Sequence, residues 1–205
     1  MNSIQFDSEA ISPSKVVCIG RNYVDHIKEL NNEVPTSPVI FHKPNSAISN
    51  TIILDSCEEL HYEGEICFLI QNNEIVGLGL GLDLTKRNLQ SELKAKGLPW
   101  ERAKAFDHSA ILSEFIPFSK SPEKLTMKIY KNDLLIQEGG YDLMIYKPQE
   151  ILKEISSFMS LEDGDIIMSG TPKGVGKIQT KDTFTGELYD EGELILEVNW
   201  TVRNS

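Results

Sequence analysis

A length of 205 residues and a formal charge of −11, from 31 acidic and 20 basic residues, favour one acidic globular domain. The basic residues form no dense cluster, which argues against a nucleic-acid backbone or an anionic membrane surface as partner. No apolar run reaches transmembrane length, and the N-terminus lacks the apolar core of a secretory signal. The cysteines Cys18, Cys57 and Cys67 form no Cys-x-x-Cys pair, so we expect a cytoplasmic protein with reduced thiols.

Local patterns predict short strands with a few helices. The predicted strands cover residues 15–19, 38–43, 67–70, 75–84, 125–130, 134–138, 165–169 and 194–198, and the predicted helices cover residues 23–31, 86–96 and 148–160. Residues 71–74 and 131–133 are predicted hairpin turns, residues 1–14 a loose leader, and residues 100–113 an irregular segment. No repeat or linker interrupts this pattern, so we expect a single domain over residues 1–205.

Three of these elements carry further expectations. On the strand over residues 75–84, Gly77, Gly79 and Gly81 alternate, so one face lacks side chains and another backbone or a ligand can approach. Thr85 can cap the helix that follows. In the last helix, Phe158 belongs to the apolar set that should face the core.

An acidic stretch lies beside the buried strand over residues 67–70. Period-two alternation places Glu63 and Glu65 on one face, and Asp83 carries the one charge in the next apolar run. Carboxylates at the mouth of an apolar strand repel each other and lose hydration, so a positive group should hold them. Three hard oxygen ligands suit Mg²⁺ or Mn²⁺. A solvated acidic edge strand without a ligand is the alternative.

Two polar pairs lie on the predicted helices at a spacing of three residues. His26 and Glu29 are neighbours on the first helix, and Arg87 and Gln90 share a face of the second. For a His/Glu pair at this spacing, a solvated helix face is the more common explanation.

A glycine-rich loop over residues 170–177 follows a predicted strand. It is no phosphate-binding P-loop, because Thr171 occupies the position of the first glycine and Ile178 replaces the Ser or Thr. Its backbone N–H groups and the Thr171 hydroxyl can hold a carboxylate, although a purely structural loop is equally consistent. Cations lie in or beside these unusual segments and, if they converge, would attract a small anion: Arg21, Lys43, Arg87, Lys104 and Lys173.

The ordered set of segments resembles the fumarylacetoacetate hydrolase superfamily, in its short single-domain acylpyruvase and oxaloacetate decarboxylase branch. The matching segments are residues 20–29 (GRNYVDHIKE), 38–44 (PVIFHKP), 61–65 (HYEGE), 82–90 (LDLTKRNLQ), 97–100 (GLPW), 103–106 (AKAF) and 170–176 (GTPKGVG). Each is weak alone, but together they span almost the whole chain in the family order.

The resemblance implies an α+β, mostly β fold: a mixed β-sandwich roll with a few short helices and a lid helix, usually in a homodimer. It implies Mg²⁺ or Mn²⁺ at Glu63, Glu65 and Asp83, with Ca²⁺ able to replace them in crystals. The remaining site residues that it implies are the lid dyad His26 and Glu29, the active-site Lys104, the carboxylate-binding Gly170 and Thr171, and the pocket residues Arg21, Arg87 and Gln90. Lys43 is a further substrate-binding candidate because of its charge and its place beside these segments.

The chain departs from the family pattern at three places. Asp107 and His108 stand near the position of a common Cys-Pro pair, His42 replaces an apolar residue, and Cys67 replaces Gly or Ala. These differences leave the metal ligands intact but affect the shape of the pocket, and hence the substrate.

The expected function is that of a metal-dependent hydrolase or lyase acting on small anionic 2-keto or 2,4-diketo acids. It would hydrolyse the C–C bond of acylpyruvates, or decarboxylate or tautomerise oxaloacetate. Two alternatives remain at this stage. One is an isomerase or hydratase acting on a dienoic diacid of aromatic catabolism, and the other is a metal-binding protein without turnover.

Overall fold

The structure, a computed structural model, describes residues 1–29, 33–54 and 59–204. The strands are β1 (Ile4–Phe6), β2 (Glu9–Ile11), β3 (Lys15–Gly20), β4 (Val39–Pro44), β5 (Ile48–Ser49), β6 (Ile52–Leu54), β7 (Leu60–Tyr62), β8 (Gly64–Gln71), β9 (Glu74–Asp83), β10 (Thr85–Lys86), β11 (Ala110–Leu112), β12 (Ile116–Pro117), β13 (Leu125–Lys131), β14 (Leu134–Gly140), β15 (Ile166–Met168), β16 (Gly176–Lys177), β17 (Thr183–Asp190) and β18 (Glu193–Asn204). The α-helices are α1 (Val24–Glu29), α2 (Arg87–Ala95), α3 (Glu101–Lys104) and α4 (Pro148–Ser156). Short 3₁₀ helices cover Asn45–Ala47, Pro122–Lys124 and Tyr141–Leu143.

Two large sheets dominate the fold. The larger has the order β4-β3-β15-β8-β9-β11-β5, with β12 also paired to β9, and the smaller has the order β14-β13-β17-β18-β6. The larger sheet is mixed, because β15 runs parallel to β3 and antiparallel to β8. This mostly β, mixed architecture with few helices confirms the fold class that the family resemblance implied.

The main core lies between the two sheets. One face of β8 contributes Ile66 and Phe68 to this core, which also contains Met127 of β13 and Phe184 of β17. The alternate residues of β8 pack into a second apolar cluster on the other face of the larger sheet. Because β8 is buried on both faces, it reads in sequence as a continuous apolar run.

The N-terminal segment is not the loose leader that was predicted. It forms a hairpin of β1 and β2, and Ile4 is buried in the second cluster. The ring of Phe6 covers Gly77, where a Cβ atom would come within 2.8 Å of it. Gly79 similarly makes room for the ring of Phe115. At Gly81 a Cβ atom would meet the Cys67 Sγ and the Ile111 carbonyl oxygen, each at 2.9 Å. The alternating glycines therefore make room for side chains and backbone of the same chain, and not for a ligand.

The predicted cap of α2 is also wrong. Thr85 lies in β10, the helix begins at Arg87, and Lys86 at the cap position provides no side-chain hydrogen bond. The Thr85 hydroxyl instead accepts a hydrogen bond from Lys104. Gly97 follows the helix with a φ of +63°, as expected of a glycine beyond a helix end.

Other boundaries differ from the prediction in ways that local pattern could not reveal. The segment predicted to be irregular contains α3 and β11, and the eight-residue strand β17 was missed. Helix α4 ends at Ser156, so Phe158 lies beyond it and is 57% exposed instead of buried. Leu30 and Cys57 lie outside the described residues. No helix in the described ranges is long and apolar enough to cross a membrane.

Candidate active site

Three buried carboxylates converge at the β8–β9 hairpin. Glu63 immediately precedes β8, Glu65 lies on it, and Asp83 ends β9. The antiparallel register pairs Glu65 with Gly81, and the Asp83 N–H donates to the Glu63 carbonyl at 2.8 Å, which sets the three side chains together. One ligand atom from each lies within 4.8 Å of the others, and each residue is at most 6% exposed. The structure thus brings together the carboxylates predicted from sequence.

Lys104 links two of these carboxylates. Its Nζ donates to Glu63 Oε2 at 2.8 Å, to Asp83 Oδ2 at 2.7 Å and to Thr85 Oγ1 at 2.6 Å. An ammonium group has three N–H bonds, so these contacts use all of them. Burial alone would lower the pKa of Lys104, but the charges of Asp83 and Glu63 outweigh burial and raise it. Lys104 is therefore a fixed cation near neutral pH.

Two further cations support the carboxylates from other sides. Lys43 is fully buried, with its Nζ 2.8 Å from Asp83 Oδ1 and donating to the Lys104 carbonyl. Arg87 pairs with Glu63 and donates to Gln90 Oε1 at 2.8 Å. Lys43 contacts Asp83 but is not among the residues that line the cavity. This position suits a role in holding Asp83 better than the predicted contact with substrate.

The pKa values of Glu65 and Glu63 are shifted in opposite directions. Burial, followed by the charges of Asp83 and Glu63, raises the pKa of Glu65 well above its ordinary value. Burial would also raise the pKa of Glu63, but the Lys104 and Arg87 charges outweigh it and lower that pKa. Glu65 accepts the Gly170 N–H at 2.7 Å. Three clustered, buried carboxylate oxygens fit a hard divalent cation, which would relieve their mutual repulsion.

Helix α1 places a His–Glu pair against the same site. His26 Nδ1 lies 3.2 Å from Glu29 Oε2, and Glu29 Oε1 accepts the Gly174 N–H at 3.0 Å. An ionised carboxylate can only accept, so Nδ1 must carry the proton of this hydrogen bond. In the neutral ring Nε2 then bears the lone pair. His26 is 6% exposed and lines the cavity, so it is not the solvated pair that spacing alone favoured.

The glycine-rich loop is held tightly against β14. Gly174 has a φ of +100°, and a Cβ atom there would lie 1.9 Å from the Ile136 carbonyl oxygen. Gly170, with a φ of +98°, places its N–H on Glu65. Thr171 is buried and lines the cavity, while its Oγ1 accepts a hydrogen bond from Gln137 Nε2 at 2.8 Å.

A cavity opens over the carboxylates. Its lining consists of Ile19, Gly20, Arg21, His26, Phe41, Glu63, Glu65, Asp83, Arg87, Gln90, Lys94, Trp100, Lys104 and Thr171. Of the five cations that were expected to converge, Lys173 does not reach the cavity. Its side chain is exposed, and its Nζ lies 3.6 Å from Asp25 Oδ2.

Arg21 has a left-handed φ of 57°, which turns the chain as it leaves β3.

Sequence reasoning did not place Lys94 or Gln137 in this site, nor Thr85, which it assigned to a helix cap. Lys94 lines the cavity, and a helical projection from Arg87 and Gln90 could have found it, because residues at a spacing of three to four share a helix face. Gln137 contacts Thr171 from a strand that carries no charged motif, and nothing in its local sequence signals this contact.

Fold and site together define an enzyme-type, mostly β domain with a buried acidic triad beneath a cavity. Residues 15–199 match the family described as fumarylacetoacetate (FAA) hydrolase C-terminal. The chain belongs to the fumarylacetoacetate hydrolase family.

Named relatives agree with this assignment. Oxaloacetate tautomerase YcgM from Escherichia coli K12 is 40% identical over 190 residues, which cover 84% of this chain and 87% of the relative. A fumarylpyruvate hydrolase from Pseudomonas aeruginosa, solved with Mn²⁺ and pyruvate, superposes with a TM-score of 0.90 at 26% identity, covering 100% and 96% of the two chains. A 5-carboxymethyl-2-hydroxymuconate delta-isomerase from Mycobacterium smegmatis gives a TM-score of 0.80 at 29% identity, covering 96% and 81%.

Proposed function

We propose that this chain is a divalent-metal-dependent enzyme that tautomerises oxaloacetate and hydrolyses the C–C bond of acylpyruvates. The observation that carries the proposal is the buried cluster of Glu63, Glu65 and Asp83 beneath a cavity that is also lined by His26 and several cations. The names of the oxaloacetate tautomerase and fumarylpyruvate hydrolase relatives support both reactions.

Glu63, Glu65 and Asp83 would hold the cation, and Mg²⁺ or Mn²⁺ suits their oxygen donors best. The relative solved with Mn²⁺ supports this choice. When bound, such a cation supplies Lewis-acid stabilisation of the enolate that forms as a bond to C3 breaks.

His26 is the proposed general base. Its Nδ1–H is held by Glu29, so Nε2 is the nitrogen that can take a proton from water. In hydrolysis, the activated water attacks the distal carbonyl (C4) of the acylpyruvate, and collapse of the tetrahedral intermediate breaks the C3–C4 bond. This releases a carboxylic acid and the enolate of pyruvate, and the protonated imidazole can return the proton to C3 of that enolate. In tautomerisation, a proton leaves C3 and one is added to the C2 oxygen, or the reverse, and no water attacks the substrate.

An active-site lysine could stabilise an oxyanion, but the geometry supports a different role for Lys104. Its three N–H groups are committed to Glu63, Asp83 and Thr85, so it holds two carboxylates in place and offsets their charge. Donation to an oxyanion would require Lys104 to release one of these partners. We therefore assign it primarily to positioning the triad.

The cavity suits a substrate with two carboxylates. Four of its lining side chains are cations, namely Arg21, Arg87, Lys94 and Lys104, against three carboxylates. Thr171 would bind one substrate carboxylate, and Arg21 with Lys94 would attract the second. Oxaloacetate has two carboxylates, as does fumarylpyruvate. Lys94→Gln should then raise KM for oxaloacetate more than KM for a monocarboxylic acylpyruvate.

The delta-isomerase neighbour supports a second candidate, isomerisation of a longer dienoic diacid. The same metal site and cation-rich cavity would serve that reaction. A homodimer and a cytoplasmic location remain predictions from the family resemblance and the composition.

The experiment compares three substrates on the purified protein, with Mg²⁺ and after EDTA. Oxaloacetate tautomerisation is followed by loss of enol absorbance, acylpyruvate hydrolysis by pyruvate release, and dienoic diacid isomerisation by its ultraviolet spectrum. Metal-dependent turnover of oxaloacetate or the acylpyruvate is expected. Turnover of the dienoic diacid alone would favour the second candidate, and turnover of none of the three would contradict both.

A further inference from the structure

Gln137 makes a set of buried hydrogen bonds that connect the glycine-rich loop with the start of β8. It lies on β14, is 1% exposed, and is 73 residues from Gly64 in sequence. Its Nε2 donates to Thr171 Oγ1 at 2.8 Å and to the Pro172 carbonyl at 2.9 Å. Its Oε1 accepts the Gly64 N–H at 2.9 Å. One amide thus joins the loop to the residue between Glu63 and Glu65.

The two backbone partners determine which way this amide faces. The Gly64 N–H can only donate, so it requires the oxygen of the Gln137 side chain. The Pro172 carbonyl can only accept, so it requires the nitrogen. The reversed amide would place like groups together at both ends. The hydrogen that reaches Thr171 therefore comes from Gln137, and the Thr171 oxygen is the acceptor.

This polarity controls what Thr171 can offer the cavity. Because its oxygen already accepts from Gln137, the Thr171 hydroxyl proton is left for another acceptor. Its contact with the Pro172 carbonyl is 3.4 Å long, and that carbonyl already accepts from Gln137 at 2.9 Å. A carboxylate of the substrate is the stronger acceptor, since a charged group makes the stronger hydrogen bond.

We infer that Gln137 is a positioning residue that makes Thr171 a hydrogen-bond donor to the substrate carboxylate. The inference rests on the proposed function, because it takes Thr171 as a substrate ligand. The buried network runs in one direction, from the Gly64 N–H to Gln137, from Gln137 to Thr171, and from Thr171 to the substrate.

The local backbone is shaped to allow this contact. A Cβ atom at Gly64 would lie 2.5 Å from Ile129 and 3.0 Å from Gln137 Oε1, so a glycine lets the amide approach the strand. Because Gln137 also contacts the segment that carries two proposed metal ligands, its loss could act through the metal site instead. The experiment must separate these two effects.

The experiment is a double-mutant cycle with Gln137→Met and Thr171→Val. Methionine keeps the volume and removes the hydrogen bonds, and valine keeps the shape of threonine without its hydroxyl. The measurements are KM and kcat for oxaloacetate, the inhibition constant of pyruvate, and the Mg²⁺ dissociation constant by calorimetry. Glu138→Gln, an exposed neighbour on β14, is the matched control and should leave all four unchanged.

Each single variant should raise KM and the pyruvate inhibition constant about tenfold, the effect of losing a hydrogen bond of about 1.4 kcal/mol to a charged group. Both kcat and the Mg²⁺ dissociation constant should stay within about twofold. The double variant should be no worse than Thr171→Val alone, because Gln137 acts through that hydroxyl.

Four outcomes would overturn the inference. Additive losses in the double variant would mean that Gln137 acts independently of Thr171. A weakening of Mg²⁺ binding in Gln137→Met as large as its increase in KM would mean that Gln137 shapes the Glu63–Glu65 segment instead. An unchanged KM in Gln137→Met, with a raised KM in Thr171→Val, would reject the positioning role of Gln137 and leave the proposed function standing. An unchanged KM in Thr171→Val would reject the proposed role of Thr171 in binding substrate.

Discussion

Removing the imidazole of His26 should affect the two proposed reactions unequally. Hydrolysis of an acylpyruvate requires an activated water, so His26→Ala should slow it by about 10²–10⁴-fold, the usual contribution of a general base. Tautomerisation of oxaloacetate should survive far better, because its C3 proton is acidic enough for a buffer base to remove it. Added imidazole should partly restore hydrolysis, since the deleted side chain leaves room for it beside Glu29.

The contribution of Glu29 can be bounded from the structure. Its side chain is 33% exposed and lies 3.2 Å from His26 Nδ1. A partly exposed ion pair of this kind contributes about 0.2–1 kcal/mol. Because about 1.4 kcal/mol corresponds to a tenfold change, Glu29→Gln should slow hydrolysis no more than about fivefold. Glutamine retains one oxygen that can accept the His26 proton, so the ring orientation persists, while its NH2 group replaces the oxygen that accepts the Gly174 N–H at 3.0 Å.

The assay follows pyruvate release and C3 deuterium exchange on each variant at saturating Mg²⁺. Equal losses of the two activities in His26→Ala would refute water activation and indicate a role in binding or lid closure. A loss in Glu29→Gln as large as that in His26→Ala would also refute the reasoning, because a partly exposed partner charge cannot account for it.

Three further predictions concern stability. Asp165→Asn should lower the free energy of unfolding by about 1.5–3 kcal/mol at pH 7, measured by urea denaturation, because it weakens the hydrogen bonds that the buried carboxylate accepts from the partly exposed Lys15 and from Ser14. Burial would raise the pKa of Asp165, but the hydrogen bonds that it accepts from Lys15 and neighbouring groups outweigh burial and lower that pKa. The stability that Asp165 contributes is therefore fully present above its ordinary pKa of about 4, and it is lost as the pH falls through the lower pKa of the folded state. Gly174→Ala should reduce Tm more than Gly192→Ala. Both glycines have a positive φ, but only at Gly174 would a Cβ atom collide with a backbone carbonyl. Equal decreases in Tm would exclude that collision. Ile4→Ala should cost about 2–5 kcal/mol in urea denaturation, and a negligible loss would restore the picture of a loose N-terminal leader.

Local pattern was sufficient where an element is determined by its own residues. The β8–β9 hairpin was predicted at the right place because Asn72 and Asn73 adopt the positive φ values that a two-residue hairpin turn requires, 50° and 59°. The convergence of Glu63, Glu65 and Asp83 followed from the same hairpin, since its register fixes which residues are neighbours.

Long-range partners explain most of what the sequence did not reveal. Thr85 has the side chain of a helix cap, but Lys104, 19 residues later, takes its hydroxyl. Gln137 reads as an ordinary strand residue, and its role depends on backbone groups that tertiary packing brings to it. Lys173 lies in the right loop but on its solvent side, and local pattern does not specify which way an exposed side chain turns.

The measurement that tests the central proposal most directly is calorimetric titration of the protein with Mg²⁺, repeated with Mn²⁺. Wild type should bind one cation, and Glu65→Gln should weaken binding at least about tenfold and abolish EDTA-sensitive tautomerisation of oxaloacetate. Glu59→Gln, which alters a carboxylate paired with His61 and Lys177 outside the triad, should bind like wild type. Unchanged affinity in Glu65→Gln, or binding lost equally in Glu59→Gln, would contradict a metal site at Glu63, Glu65 and Asp83.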